Sequence, residues 1–572
     1  MVQTKNIKKI FFSVVILIFL LTPVFVRAEE VLGNKVNFYI EPSYDSLKRE
    51  QATSTLRRIS PKAYWYVDDD WWQKLGEEEK EEMNNALNSL ADEFETKIYP
   101  VLTSNFGTEW TPGIDKDTRI TILIHPMIEE SGGYFNSGDE YPRVQAPRSN
   151  EREMVYLNAI YLKNQLAKSL LAHELQHLIS FNQKEKTYNV SEEVWLNEAR
   201  SEYVPTLLGY DDIFEGSNLQ RRIKKFLEKP YDSLTEWRNL PYDYGVANLF
   251  IQYLVDHYGR DILIDSLKSS KTGIESINFA LSKNGFKENF SQIFTDWAIA
   301  VFINDCSISQ KYCYLNQNLK NFKLTPLINY LPFIGESVLS VTNTTKDWAG
   351  NWHKFVGGKG TLKLEFTVSP DAKFKIPYLI EDSQGNFNIN FLELDKEGKA
   401  EIFVEDFGLK NVSLTIIPIS QNKISGFSDL EPSVSFFWSA STVEKAREEE
   451  AELIKKLLAQ IDQLQKEITK VQAQINVILG RRVYCGKFEK DLYYGIRDNE
   501  DVKCLQEFLK SQGPEIYPEG LISGNFLNLT QAAVIRFQEK YFNEILLPLR
   551  LERGTGFVGE RTRMKINQIS GW

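Results

Sequence analysis

Histidine is scarce in this chain: five in 572 residues, so any two that stand close together draw the eye. Cysteine is rarer still, with four, and no CxxC spacing supports a cysteine-ligated metal. None of the four reads as a nucleophile. Positive charge does not dominate. Lys and Arg total 67 against 78 Asp and Glu, for a net charge of −11 and a pI of about 5.4. No basic stripe with interleaved aromatics is present, which argues against a nucleic-acid partner. Beyond residue 28 no stretch is long and apolar enough to cross a bilayer.

Two of the five histidines fall in one pentapeptide, His173-Glu174-Leu175-Gln176-His177. Tyr161 to Phe181 contains no Pro or Gly, and Leu166, Leu170, His173 and His177 share a face at helical spacing. Imidazoles four apart on a helix lie one turn above the other and can hold one zinc ion from one side. Glu174 then stands beside the open coordination position, where it can take a proton from water. A third ligand is still needed. Ser180 and Gln183 stand where a metzincin-type third histidine and its turn would be, so that option fails. The other option is a Glu from a following helix. Ser191 to Gly209 opens as one, with Ser191 as the expected N-cap.

Within it, Asn197-Glu198-Ala199-Arg200-Ser201-Glu202 resembles the N-E-x-x-S-D/E motif of gluzincins, the thermolysin-like metallopeptidases. Together with AHELQHLISFN and EEVWLNEARSEY, the stretch looks still more like the hyicolysin-like secreted metallopeptidases. The resemblance implies Glu198 as third zinc ligand and Glu202 as acceptor for a ligand histidine N–H. It also implies an oxyanion-stabilising tyrosine from the later lobe. Tyr244, in a Tyr-Gly expected just before a helix over 248–257, or Tyr242 would be that residue, with Tyr244 the better placed. A packed core tyrosine is the competing reading. His125, His257 and His353 read as structural.

The chain is too long for one core and is read as multidomain. Residues 1–28 carry a charged start (Lys5, Lys8, Lys9), an apolar run and Val26-Arg27-Ala28, the pattern of a cleaved signal peptide. An uncleaved anchor is the competing reading. No Cys follows the run, which speaks against a lipoprotein. In a secreted chain, local disulfides Cys306–Cys313 and Cys485–Cys504 are expected. Residues 29–328 form the α+β zincin-like peptidase. Its expected strands are 36–40, 119–124 and 154–157, with a helix over 77–98 striped by Met83, Leu87, Leu90 and Phe94. Gly132 to Phe135 is either a substrate-pairing edge strand or a plain turn. Asp115, Asp117 and the run Asp68–Asp70 are candidates for Ca2+, though no full set of oxygen ligands can be read there.

Residues 329–440 alternate in short strands between turns and read as a β-sandwich. Residues 441–480 carry an apolar seam at 454, 457, 461, 464, 468, 471, 475 and 478. That seam reads as a self-associating coiled coil or as a helical stalk. Residues 481–572 resemble the peptidoglycan-binding type 1 domain, a small all-α module. The matching residues are Val502 to Leu509, Gly524-Asn525-Phe526, Thr530, Ala532 to Val534, Phe537-Gln538, Gly556 to Gly559 and Thr562; Leu527 and Glu560 depart from its pattern. The resemblance implies peptidoglycan or another cell-wall polymer as partner. The resulting expectation is a secreted, envelope-associated zinc (Zn2+) endopeptidase acting on protein or peptide substrates. A hydrolase of peptidoglycan stem peptides and a non-catalytic adhesin are the alternatives.

Overall fold

The computed structural model describes residues 30–332, 338–442 and 485–571, with part of 455–471. The signal-peptide expectation lies outside the described residues, as does most of the coiled-coil segment. Seam residues that are described, Leu457, Ile461, Leu464, Ile468 and Val471, are exposed. Two compact units divide the chain, Met1–Ala446 and Arg447–Trp572.

The first unit begins with a six-stranded sheet. Its strands are β1 (Lys35–Tyr39), β2 (Gln51–Ile59), β3 (Ala63–Asp68), β4 (Ile120–His125), β5 (Gly133–Phe135) and β6 (Met154–Asn158), in the order β1-β2-β3-β4-β6-β5. β3, β4 and β6 run parallel, and β5 lies antiparallel on β6 at the edge. Side chains alternate across the pleat. Trp65, Ile122 and Val155 enter the core beneath the helices, whereas Tyr64, Tyr66, Leu123 and Tyr156 enter a second, aromatic-rich core on the other face.

α1 (Glu77–Glu93) and α2 (Tyr99–Phe106) cover the sheet, and the expected stripe of Met83, Leu87, Leu90 and Phe94 is buried. The helical lobe follows as α3 (Leu166–Phe181), α4 (Val194–Leu207), α5 (Asn218–Glu228), α6 (Pro241–Tyr258), α7 (Asp261–Leu267), α8 (Gly273–Lys283) and α9 (Phe290–Ile303). Two sequence expectations are corrected here. Ser191 is not the cap of α4: Glu193 occupies that position, and Ser191 donates to Glu185 instead. The PYDYG segment does not precede a helix but opens one, because Pro241 suits the first turn and Asp243 accepts from Leu240 N.

The β-rich part comprises β7 (Leu327–Leu331), β8 (Val338–Thr345), β9 (His353–Gly357), β10 (Gly360–Val368), β11 (Phe374–Lys375), β12 (Pro377–Asp382), β13 (Phe387–Phe391), β14 (Lys399–Phe407), β15 (Asn411–Ile416), β16 (Ile419–Ser420) and β17 (Val434–Thr442). Nine of these strands join in one hydrogen-bonded sheet that branches at β15, with β11–β16 as a separate pair. Alternating Leu362, Leu364, Phe366 and Val368 face its core. This part is fastened to the helical lobe: Trp348 and Trp352 join the helices' core, and Trp352 Nε1 donates to Ala298 O at 2.8 Å. Gly426 N donates to Glu193 Oε1 at 2.7 Å, so the β-rich part also holds the start of α4.

In the second unit α10 (Glu500–Ser511), α11 (Asn528–Lys540) and α12 (Glu560–Ser570) enclose their own core. Both disulfides form as expected, Cys306–Cys313 and Cys485–Cys504. Among the described residues no helix is long and apolar enough to cross a membrane.

Candidate metal centre

α3 lies beneath the sheet edge with every residue but Leu166 and Lys168 buried. That burial holds the two histidines' rotamers. The Nε2 atoms of His173 and His177 face each other at 3.0 Å. α4 packs across α3 and brings Glu198 Oε2 to 3.2 Å from His173 Nε2 and 3.4 Å from His177 Nε2. Among the described residues this is the one group of His, Cys, Asp and Glu whose ligand atoms all lie within 4.8 Å of one another.

The donor set suits a zinc-type cation. Zinc bonds of about 2.0–2.1 Å at tetrahedral angles separate ligand atoms by about 3.3 Å, and the three separations here straddle that value. Glu198 Oε2 is buried, no contact to it has hydrogen-bond geometry, and its near neighbours are the two imidazole Nε2 atoms of the cluster. An unpaired buried carboxylate oxygen is costly unless a cation or proton meets it.

The far sides of both imidazoles are held. His173 Nδ1 lies 3.4 Å from Glu202 Oε1, and His177 Nδ1 lies 3.3 Å from Ser201 Oγ. Glu202 is buried and fully partnered. Arg222 donates to it twice, at 2.6 and 2.8 Å, Asn218 at 2.9 Å and Asn248 at 3.2 Å. Deleting Arg222 would leave that carboxylate charged and dry, a change that costs about 3–5 kcal/mol in comparable sites. Arg222, Asn218 and Asn248 come from α5 and α6, and nothing in their sequence spacing marks them as partners of α4.

Charge follows geometry. Burial raises the pKa of Glu174, although His173 and His177 pull it back. Burial opposes the charge on Glu202, but Arg222 and His173 hold it down at about 2. Glu198 is likewise held well below the usual carboxylate range, since His177 and His173 outweigh its burial. For His177 burial lowers the pKa, and Glu198 and Glu174 more than offset this, raising it to about 9. A cation must therefore displace that proton at any pH below about 9. Zinc uptake at pH 7 is expected to release ~1 proton per chain, and affinity should rise with pH until about 9 and then level. Calorimetric titration in buffers of different ionisation enthalpy measures both.

Glu174, on the same helix as the two histidines, packs against β5. β5 passes so close that a Cβ on Gly133 would lie 2.9 Å from Glu174 Cγ and 2.5 Å from Tyr156 O. Within the Gly132–Phe135 segment, β5 (Gly133–Phe135) is an edge strand rather than a plain turn, and it pairs with β6 on one side. Tyr244 lies in the first turn of α6. Its ring sits under Arg222 at 4.4 Å and meets Trp237 edge-on, and its hydroxyl donates to Asn239 Oδ1 at 2.7 Å. Tyr242 instead lies beneath Lys229.

The remaining histidines are packed elsewhere. His125 lies 3.4 Å from Asp45, His257 Nε2 meets Cys313 O at 2.9 Å, and burial lowers His353 to about 4. The calcium candidates are engaged by protein groups. Asp68 pairs with Arg49 and caps a short helix, Asp69 pairs with Lys35, and Asp117 accepts from Tyr64.

The neutral metalloprotease ShpI of Staphylococcus hyicus is 26% identical to this chain over 249 residues, which cover 38% of the chain and 53% of that protein. The chain thus spans about half the length of the curated relative it matches. A distant relationship to a metalloprotease follows. No family model matches the chain. Among solved structures, the Yersinia pseudotuberculosis-derived mitogen is 9% identical over 20% of this chain and 92% of its own, with a TM-score of 0.14. The pre-peptidase C-terminal domain of a Bacillus anthracis collagenase is 6% identical over 20% and 94%, also with a TM-score of 0.14. Likenesses this slight carry no argument about fold or function.

Proposed function

We propose that this chain is a secreted zinc endopeptidase of the gluzincin type. His173, His177 and Glu198 would hold the ion, and Glu174 would move the proton. One observation carries the reading: two Nε2 atoms and a buried carboxylate oxygen converge within 4.8 Å, with Glu174 on the same helix packed against a sheet edge. The relationship to a neutral metalloprotease supports it.

Bound zinc would supply Lewis acidity, polarising a carbonyl oxygen and acidifying water. The chain's own groups do the rest. The unpaired side of β5 offers backbone groups to an extended peptide. Glu174, made more basic by burial, takes a proton from water and returns it to the departing amine. Glu202, fixed by Arg222, keeps the His173 ring turned so that Nε2 faces the cluster. The role of 481–572 as a cell-wall tether rests on the resemblance of that segment alone. That resemblance also motivates the second reading, a hydrolase of stem peptides.

Elemental analysis tests the ligand set. The wild-type chain is expected to hold one zinc. His173→Ala, His177→Ala and Glu198→Ala should each lose it while remaining folded. A wild type that stays metal-free in zinc buffer defeats the reading.

A further inference from the structure

A second tyrosine, Tyr44, is joined to Tyr244 through Asn239. Tyr44 lies between β1 and β2, in a loop pinned at several points. Asp45 accepts from Leu47 N, Arg49 N and the Arg49 guanidinium, Glu41 N donates to Tyr134 Oη at 3.1 Å, and Ile128 N donates to Tyr44 O at 2.8 Å. The Tyr44 ring stacks on Tyr134 at 5.0 Å. Tyr134 follows Gly133, the residue packed on Glu174. Burial raises the pKa of the Tyr44 hydroxyl, Asn239 draws it down, and the carboxylates of Glu198 and Glu174 push it up again, so the hydroxyl lies within their electrostatic reach.

Asn239 joins the two tyrosines. Its Oδ1 accepts from Tyr244 at 2.7 Å, and its Nδ2 donates to the Tyr44 hydroxyl at 3.4 Å. The shorter contact has the length of an O–H donating to a carbonyl, and the longer one suits a weak N–H donor. A hydroxyl has one proton to give. Tyr244 spends its proton on Asn239. Tyr44 accepts from Asn239, so its own proton stays free for a substrate. Asn239 has φ +58, a left-handed conformation that Asn and Gly tolerate well.

We propose that Tyr44, not Tyr244, is the hydroxyl that donates to the oxyanion formed at the scissile carbonyl, and that Asn239 and Tyr244 are positioning residues that keep its proton free. This rests on the peptidase reading. If that reading fails, the wild-type chain shows no zinc-dependent cleavage; if only the assignment fails, wild-type cleavage stands and the variants fall in the wrong order.

The test compares Tyr44→Phe, Tyr244→Phe, Asn239→Gly and Asn239→Asp on the library peptide that the wild type cuts fastest. Zinc content and melting temperature are followed for each. Tyr44→Phe should lower kcat by on the order of 10²-fold with little change in KM, as loss of an oxyanion donor does. Asn239→Asp should fall nearly as far, because a carboxylate would capture the Tyr44 proton. Asn239→Gly keeps the backbone conformation and leaves that proton free, so it and Tyr244→Phe should lose about tenfold or less. A phosphinate analogue of the same peptide, titrated by calorimetry, should bind Tyr44→Phe at least about tenfold more weakly than wild type, whereas the product peptides bind both alike. Tyr44→Phe within twofold of wild type, Tyr244→Phe as damaging as Tyr44→Phe, or Asn239→Gly worse than Asn239→Asp would each overturn the assignment. If Tyr44→Phe does not fold, the order of the two Asn239 variants decides.

Discussion

Glu174→Gln is expected to lower kcat for peptide cleavage by about 10²–10⁴-fold, the range that a positioned acid–base group contributes, while one zinc remains bound. Gln keeps the size of the side chain and its place beside Gly133, but it can neither take nor return a proton. The ligand atoms belong to His173, His177 and Glu198, and none of them depends on the Glu174 carboxylate. Kinetics and zinc content measured on one preparation separate the two effects. Retained activity would remove Glu174 from the chemistry, and loss of zinc would make it a structural support of the site.

Gly133→Ala is expected to impair peptide cleavage almost as severely, by a different route. The added methyl would lie 2.5 Å from a backbone oxygen, that of Tyr156, and 2.9 Å from the Glu174 side chain. Only the second of these can give way by a side-chain rotation. β5 must therefore shift against β6, whether or not Glu174 also turns aside. A misplacement near 1 Å costs on the order of 10²-fold in rate, and overpacking costs about 1–3 kcal/mol of stability. The expected result is a folded, zinc-containing protein with a lower melting temperature and a kcat/KM reduced by about 10²-fold. Wild-type kinetics would show that the edge of β5 plays no part in catalysis.

The centre of the site was legible because helical spacing is local. His173 and His177 need only one turn of α3, and Glu198 and Glu202 only one turn of α4. What surrounds them was not legible, because it is assembled from separate elements. Arg222, Asn218 and Asn248 converge on Glu202 from α5 and α6, and Tyr44, in the loop between β1 and β2, meets Asn239 from the helical lobe. β3 was missed for a related reason. It is buried on both faces, as are β4 and β6, but Ala63 to Asp68 is aromatic and runs straight into Asp69 and Asp70, so no apolar β-branched run sets it apart as Ile120 to Ile124 is set apart.

The β-rich part shows the division clearly. The alternation of Leu362, Leu364, Phe366 and Val368 gives β10 its face, yet the strand order follows from long-range pairing that no local pattern encodes. The second unit holds a repeat that was also missed. Gln506 accepts from Ser523 N and Gly524 N and donates to Thr530; Gln538 accepts from Thr555 N and Gly556 N and donates to Thr562. In sequence these are two ordinary glutamines. Only their shared burial and matching partners reveal two copies of one helix–loop clamp.

The most direct measurement is cleavage of a mixed peptide library by residues 29–572, before and after zinc is stripped by a chelator and then restored. The account predicts defined cuts that vanish on stripping and return with one equivalent of zinc. Cleavage that persists in the metal-free chain, or none from a folded chain carrying its zinc, would contradict it.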